Sequence, residues 1–293
     1  MVSNKTIIIT GANSGIGLEA AKIFSNREAH VILAVRNLQK GEEAVKSIRQ
    51  ANKGAKVEVM KLDLSDLESV RAFSTEFISR FSSLDILVNN AGVMAPPYEK
   101  TVDGFELQFG SNHLGHFALT GLLLPLLKKT PKSRVVTLSS IAHRGASIYF
   151  DNLDGSKGYK SMKFYGQSKL ANLLFAKELD QRLKQHGVNT ISVACHPGIT
   201  STNLFKIGKK DLNILKRLLK FFFQRVEMGV QPTIYAATEE TLKGGEYIGP
   251  DGCGNRAGNP AIETPAKTVY NEETMDKLWE VSETLTGVVY DFS

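Results

Sequence analysis

The sequence predicts an α/β chain of the Rossmann type: one domain with a doubly wound parallel sheet and helices on both faces. Three observations predict it. Short apolar, β-branched runs alternate with amphipathic stretches along most of the chain. Those runs are almost wholly apolar rather than alternating, as strands covered on both faces must be. The first run ends in a glycine-rich turn that opens directly into a helix, and strand–helix alternation builds parallel sheets.

In order, Thr6–Thr10 reads as the first strand and residues 15–28 as the first helix. Val31–Val35 is the second strand, followed by a helix over 38–52. Lys56–Leu62 leads to a helix over 66–82, where Ser65 and Glu68 have capping-box spacing. Leu84–Asn89 leads to a helix over 104–129. Arg134–Ser139 is followed by a loop insertion, 141–161, rich in Gly, Ser, Asn and aromatics. A long helix over 163–186 then closes at Gly187, where a C-terminal glycine belongs. Thr190–Cys195 is the sixth strand. Asp251–Pro265 reads as loop and Asn271–Leu285 as helix, within a C-terminal tail of residues 265–287. No linker, repeat or low-complexity segment interrupts this order, so 1–293 reads as a single domain.

Composition narrows the function. Hydrophobic residues make up 42% of the chain and charged residues 23%, which excludes a disordered protein. The net charge is +6, but no Lys/Arg run is interleaved with aromatics; that favours anionic ligands and argues against nucleic acid. Cys195 and Cys253 are expected as buried, reduced thiols. Met1–Lys5 runs straight into a strand, and no stretch has the roughly 18 uncharged apolar residues of a membrane span, so a cytoplasmic protein is expected. His113, His116, His143 and His196 lack metal-ligand spacing, so no metal is expected.

The turn Thr10-Gly11-Ala12-Asn13-Ser14-Gly15-Ile16-Gly17 has the chemistry of a pyrophosphate site. Glycines let the backbone approach the phosphates, and the following helix offers free N–H groups and a positive dipole end. The second strand ends in Arg36-Asn37, without the carboxylate that would bind NAD ribose hydroxyls. A guanidinium there can bind a 2′-phosphate, which favours NADP(H). Farther on, Tyr165 and Lys169 stand four apart on one helix face. An ammonium beside a phenol, together with a positive nicotinamide ring, would lower the phenol from its usual value of about 10 and fit it for proton exchange with a substrate oxygen.

The glycine spacing, Asn89-Asn90-Ala91-Gly92, Ser139-Ser140 at a strand end and Tyr165-x-x-x-Lys169 resemble the short-chain dehydrogenase/reductase family over about residues 5–250. The resemblance implies a cofactor site of Gly11, Asn13, Ser14, Gly15, Ile16, Gly17 and Arg36, with Asp63, Leu64, Asn90, Ala91 and Gly92 on the adenine side. Pro197 and Gly198 would border the nicotinamide, with Thr200 or Thr202 reaching its amide and Tyr165 and Lys169 touching it. The implied catalytic set is Asn112, Ser140, Tyr165 and Lys169, with Ser139 the alternative to Ser140. Ser140 would hold the substrate oxygen, and Asn112 would hold a water beside the lysine.

Ala34-Val35-Arg36-Asn37, Ser111-Asn112-His113-Leu114-Gly115 and Ser168-Lys169-Leu170-Ala171-Asn172 are similar to the branch of retinol dehydrogenases, WW-domain oxidoreductases and protochlorophyllide reductases. Two departures from it are expected: no N-terminal anchor and no WW domain. The implied substrate is a small apolar carbonyl or alcohol, retinal-like or another aldehyde or ketone. Residues 198–228 are expected to cover the substrate. Their basic amphipathic patch, 209–223, is open to three readings: lid, peripheral membrane contact or oligomer interface. The chain is expected as a monomer or homo-oligomer. The competing functions are a nucleotide-binding sensor without turnover and an epimerase or dehydratase acting on nucleotide sugars.

Overall fold

A computed structural model describes residues 2–199 and 225–293. Eight strands form one sheet: β1 (Thr6–Thr10), β2 (His30–Val35), β3 (Val57–Lys61), β4 (Ile86–Asn89), β5 (Arg134–Leu138), β6 (Ile191–Cys195), β7 (Tyr247–Pro250) and β8 (Pro260–Glu263). Their order is β3-β2-β1-β4-β5-β6-β7-β8. Neighbours pair in parallel except β8, which runs antiparallel to β7 with Tyr247 opposite Glu263.

β1 shows why the strands read as unbroken apolar runs. Successive side chains point to opposite faces, and both faces are covered. Ile7 and Ile9 belong to a core with Ala20 and Phe24 of α1 (Gly15–Asn26) and Ile48 of α2 (Leu38–Ala51). Ile8 belongs to the opposite core with Phe73 and Phe77 of α3 (Leu67–Arg80). The sheet order reverses between β1 and β4, the switch point beyond whose carboxyl ends open α/β sheets bind their ligands.

Several sequence expectations are corrected. The helix expected over 104–129 begins as a short α4 (Leu107–Phe109), widens into a π turn at Gly110–Leu114 and continues as α5 (Gly115–Lys129). Asp66, not Ser65, caps α3, accepting from the Glu68 and Ser69 N–H groups; the Ser65 hydroxyl instead donates to Asp63. The tail read as loop contains β8, and Cys253 is exposed, while Cys195 is buried.

The 141–161 insertion is irregular apart from a 3₁₀ turn at Ile141–His143 and leads into α6 (Ser161–Gln185). α6 closes as expected, with Gly187 at φ +68°. Past β6 come α7 (Val226–Gly229) and α8 (Gln231–Thr238). After β8, α9 (Glu272–Thr286) packs on α5 and α6, and the Tyr290 hydroxyl donates to Phe117 C=O at 2.7 Å. Among the described residues no helix is long and apolar enough to cross a membrane. Thr200, Thr202 and the 209–223 patch lie outside the described residues.

Candidate active site

The glycine turn after β1 is shaped for a close-approaching ligand. Gly11 and Gly15 sit at φ +66° and +57°, left-handed conformations that a Cβ disfavours. Gly17 is required by space: a Cβ there would fall 2.5 Å from Asn90 Nδ2. Ser14 is the N-cap of α1, and its hydroxyl makes no cap hydrogen bond, so the first N–H groups of this 12-residue helix receive no side-chain cap from it. Asn13 is half-buried at the lip, and the Ile16 side chain is packed into the core.

Arg36 stands exposed just past β2, its carbonyl accepting from Lys61 Nζ at 2.5 Å. Asn37 caps α2 beside it. Asp63 Oδ1 is engaged by the Ser65 N–H and hydroxyl. Leu64 is buried, its carbonyl so close to Gly115 that a Cβ on that glycine would lie 2.5 Å away.

Thr10 joins the turn to β4. Its Oγ1 accepts from the N–H groups of Asn90 and Ala91, both at 2.9 Å, while Asn90 Nδ2 donates to Thr10 C=O at 2.7 Å. His116, fully buried on α5, completes the link. Its Nδ1 faces the Asn112 carbonyl at 2.9 Å, which only accepts, so Nδ1 carries the proton and Nε2 accepts from Thr10 Oγ1 at 2.8 Å. Burial lowers His116 to about 4. Neither Thr10 nor His116 stood out in the sequence as a site residue, because this link joins positions 106 residues apart.

The four residues expected to be catalytic converge at the ends of β4 and β5. Asn112 lies in the π turn, its amide spanning the Val93 backbone: Oδ1 accepts from Val93 N–H at 2.8 Å and Nδ2 donates to Val93 C=O at 2.9 Å. Gly92 faces both Asn112 and the lysine, since a Cβ there would lie 3.2 Å from Asn112 Oδ1 and 3.5 Å from Lys169 Nζ. Lys169 Nζ donates to Leu138 C=O at 3.1 Å and stands 5.8 Å from the Tyr165 ring centre. The Ser139 hydroxyl donates to Lys169 C=O at 2.7 Å, which ties α6 to the end of β5.

The Ser140 hydroxyl accepts from Ala142 N–H at 3.2 Å and acts on the Tyr165 phenol, favouring its ionised form. Gly166 lets the 141–143 turn sit close to α6: a Cβ on it would meet Ala142 C=O at 2.9 Å. Burial pushes the Tyr165 phenol up, with Ser140 opposing, and lowers the Lys169 ammonium to about 8. This is the phenol of the chain by itself; the lowering expected from Lys169 together with a positive nicotinamide ring belongs to the cofactor-bound state.

Beyond β6, Gly198 takes φ +68°, and a Cβ there would fall 2.3 Å from Arg256 C=O. Its N–H donates to His196 Nδ1 at 3.2 Å. Pro197 lies between them, so the segment expected to border the nicotinamide lies at the same end of the sheet as the carboxyl ends of β5 and β6.

A glycine-shaped helix N-terminus with a Ser–Tyr–Lys group past the next strands fits a nicotinamide dinucleotide across the carboxyl ends of the strands. Residues 5–212 match the short chain dehydrogenase family, and the chain belongs to it, within the retinol dehydrogenase branch; its cofactor class is a nicotinamide dinucleotide. It is 43% identical to mouse "Retinol dehydrogenase 12" over 292 residues, 99% of this chain and 89% of that one. It is 40% identical to Brassica napus "Short-chain dehydrogenase TIC 32 B, chloroplastic", over 94% of this chain and 87% of that one.

Among solved structures, an uncharacterised protein from Mycobacterium paratuberculosis is 39% identical with a TM-score of 0.81, over 99% of this chain and 96% of that one. An actinorhodin polyketide ketoreductase crystallised with NADPH shares the fold at 19% identity and a TM-score of 0.62, over 80% of this chain and 91% of that one.

Proposed function

We propose that this oxidoreductase is NADP(H)-dependent and moves a hydride between the nicotinamide and an apolar carbonyl or alcohol, with Tyr165 as the general acid and base. The observation that carries the reading is the group of half-buried Ser140 with buried Tyr165 and Lys169 at the carboxyl end of β5. Bound NADPH supplies the hydride. Ser140 holds the substrate oxygen, Tyr165 donates the proton, and Lys169 with Asn112 restores it.

Burial keeps Tyr165 protonated, the form a proton donor needs, while the direction in the cell follows the cofactor ratio. The retinol dehydrogenase relatives make retinal a first substrate to try, and other apolar aldehydes and ketones follow from the same site. The two free thiols suit a reducing, cytoplasmic setting.

The test is NADPH oxidation by the purified chain across apolar aldehydes and ketones including retinal. Tight NADPH binding without turnover on any of them would sink the enzymatic reading in favour of a nucleotide sensor. Arg36 carries the choice of cofactor. Losing one charge-assisted contact to the 2′-phosphate costs about 1.5–3 kcal/mol, roughly 10–150-fold in affinity. Arg36→Ala is expected to lower kcat/KM for NADPH by that factor and leave the value for NADH nearly unchanged. Equal loss with both cofactors would remove Arg36 from this role.

A further inference from the structure

The β7–β8 hairpin reaches both loops that flank the proposed reaction centre. Glu263, the last residue of β8, keeps only 9% of its side chain exposed. Its Oε1 accepts from Arg144 Nη2 at 2.7 Å, and its Oε2 accepts from His196 Nε2 at 2.8 Å. Arg144 closes the turn that Ser140 begins; His196 begins the segment that runs through Pro197 to Gly198. Because His196 Nδ1 accepts from Gly198 N–H, Nε2 carries the proton and donates to the carboxylate.

The hairpin turn adds further ties. Arg144 donates to Gly254 C=O at 3.0 Å and Asn255 Oδ1 at 2.7 Å, and Ile199 N–H donates to Arg256 C=O at 2.8 Å.

This is a packed cluster rather than a loose surface ion pair. Surface pairs contribute little, but here one carboxylate joins the arginine to a fully buried histidine. Burial opposes its charge, yet the hydrogen bonds from His196 and Arg144 win and hold Glu263 at about 2. The space is tight as well: a Cβ on Gly249 would fall 2.1 Å from His196 Nε2 and 2.8 Å from Glu263 Oε2.

We propose that Glu263 is a positioning residue that fixes the spacing between the Ser140 turn and the His196–Gly198 segment by holding Arg144 and His196 on its two oxygens. The proposal rests on the reductase reading above. It assigns the hairpin control over how the substrate oxygen meets the hydride donor. Reaction geometry is sensitive to this, since a displacement of about 1 Å far from the chemistry can cost on the order of a hundredfold.

The test uses Glu263→Gln and Gly249→Ala in the full chain, each with Ser140 present and with Ser140→Ala. With Ser140 present, both are expected to lower kcat about tenfold and to leave KM for NADPH within about twofold. With Ser140→Ala, the same substitutions are expected to have little effect on kcat, because the group they position is gone. Hydrogen exchange on Glu263→Gln is expected to show faster exchange at His143, Arg144, Gly198 and Ile199 together.

An unchanged kcat in both variants, or an equal fall with and without Ser140, would overturn the proposal. So would retained protection in both loops, a result readable without any turnover. A wild-type chain that reduces no carbonyl would instead count against the proposed function, and the exchange result would still decide whether Glu263 holds the two loops.

Discussion

Tyr165→Phe is expected to lower carbonyl reduction by about a hundredfold to ten-thousandfold, the range for losing a positioned general acid. The substitution removes one hydroxyl from a side chain that is 7% exposed and leaves the ring in place beside Lys169. NADPH affinity and thermal midpoint should therefore stay close to wild type, because the glycine turn and the packing of α6 are untouched. The fall should appear in kcat, as when an interaction belongs to the transition state rather than to binding. Stopped-flow NADPH oxidation with a saturating aldehyde reads it directly. Wild-type turnover in the phenylalanine variant would show that another group delivers the proton.

The features legible in the sequence are those that short stretches encode. β1 and its glycine turn occupy a dozen consecutive residues. Tyr165 and Lys169 share a helix face, with the ammonium 5.8 Å from the ring centre. The apolar strands were legible because both sheet faces are covered, which leaves no alternation to misread.

The rest depends on contacts between distant segments. β8 is four residues long and begins with Pro260; it becomes a strand by pairing with β7. The π turn at Asn112 leaves no mark in an apolar pattern of period 3.6, yet it sets where the Asn112 amide meets Val93.

The choice between Ser139 and Ser140 shows the same divide. Adjacent strand residues face opposite sides, so one serine must turn away from its neighbour's partners. Spacing alone does not reveal which one α6 engages. The Ser139 hydroxyl donates to Lys169 C=O, which leaves Ser140 on the Tyr165 side. The upward push of burial on the Tyr165 phenol is not legible in a helix pattern, because depth of burial depends on the assembled core.

Acid should unsettle the fold through two histidines on this same framework. Burial is the main cause for both: it lowers His113 to about 3 and His116 to about 4, from 6.5 in the unfolded chain. The unfolded state therefore binds protons that the native state refuses, and stability present above pH 6.5 is lost as pH falls toward those folded values. At pH 5 each has lost roughly 1.5 units at about 1.4 kcal/mol per unit, so the pair removes about 4 kcal/mol relative to pH 7.

Glu106, Glu178 and Asp180, raised by burial, titrate with the opposite sign, so the measurement must compare a variant with wild type. His113→Phe suits this. The ring sits among Phe109, Phe117 and Phe175, and the Ser282 hydroxyl that His113 touches also donates to Leu278 C=O. Urea midpoints at pH 7 and pH 5 should show the variant losing about 2 kcal/mol less than wild type. Identical losses would mean that His113 titrates normally in the fold.

His116 extends the effect to the cofactor turn. Once protonated, its Nε2 can no longer accept from Thr10 Oγ1, the oxygen that holds the Asn90 and Ala91 N–H groups. NADPH affinity should therefore weaken only as pH falls toward about 4, where His116 of the folded chain takes up its proton, and it should do so equally in His113→Phe, whose His116 is intact.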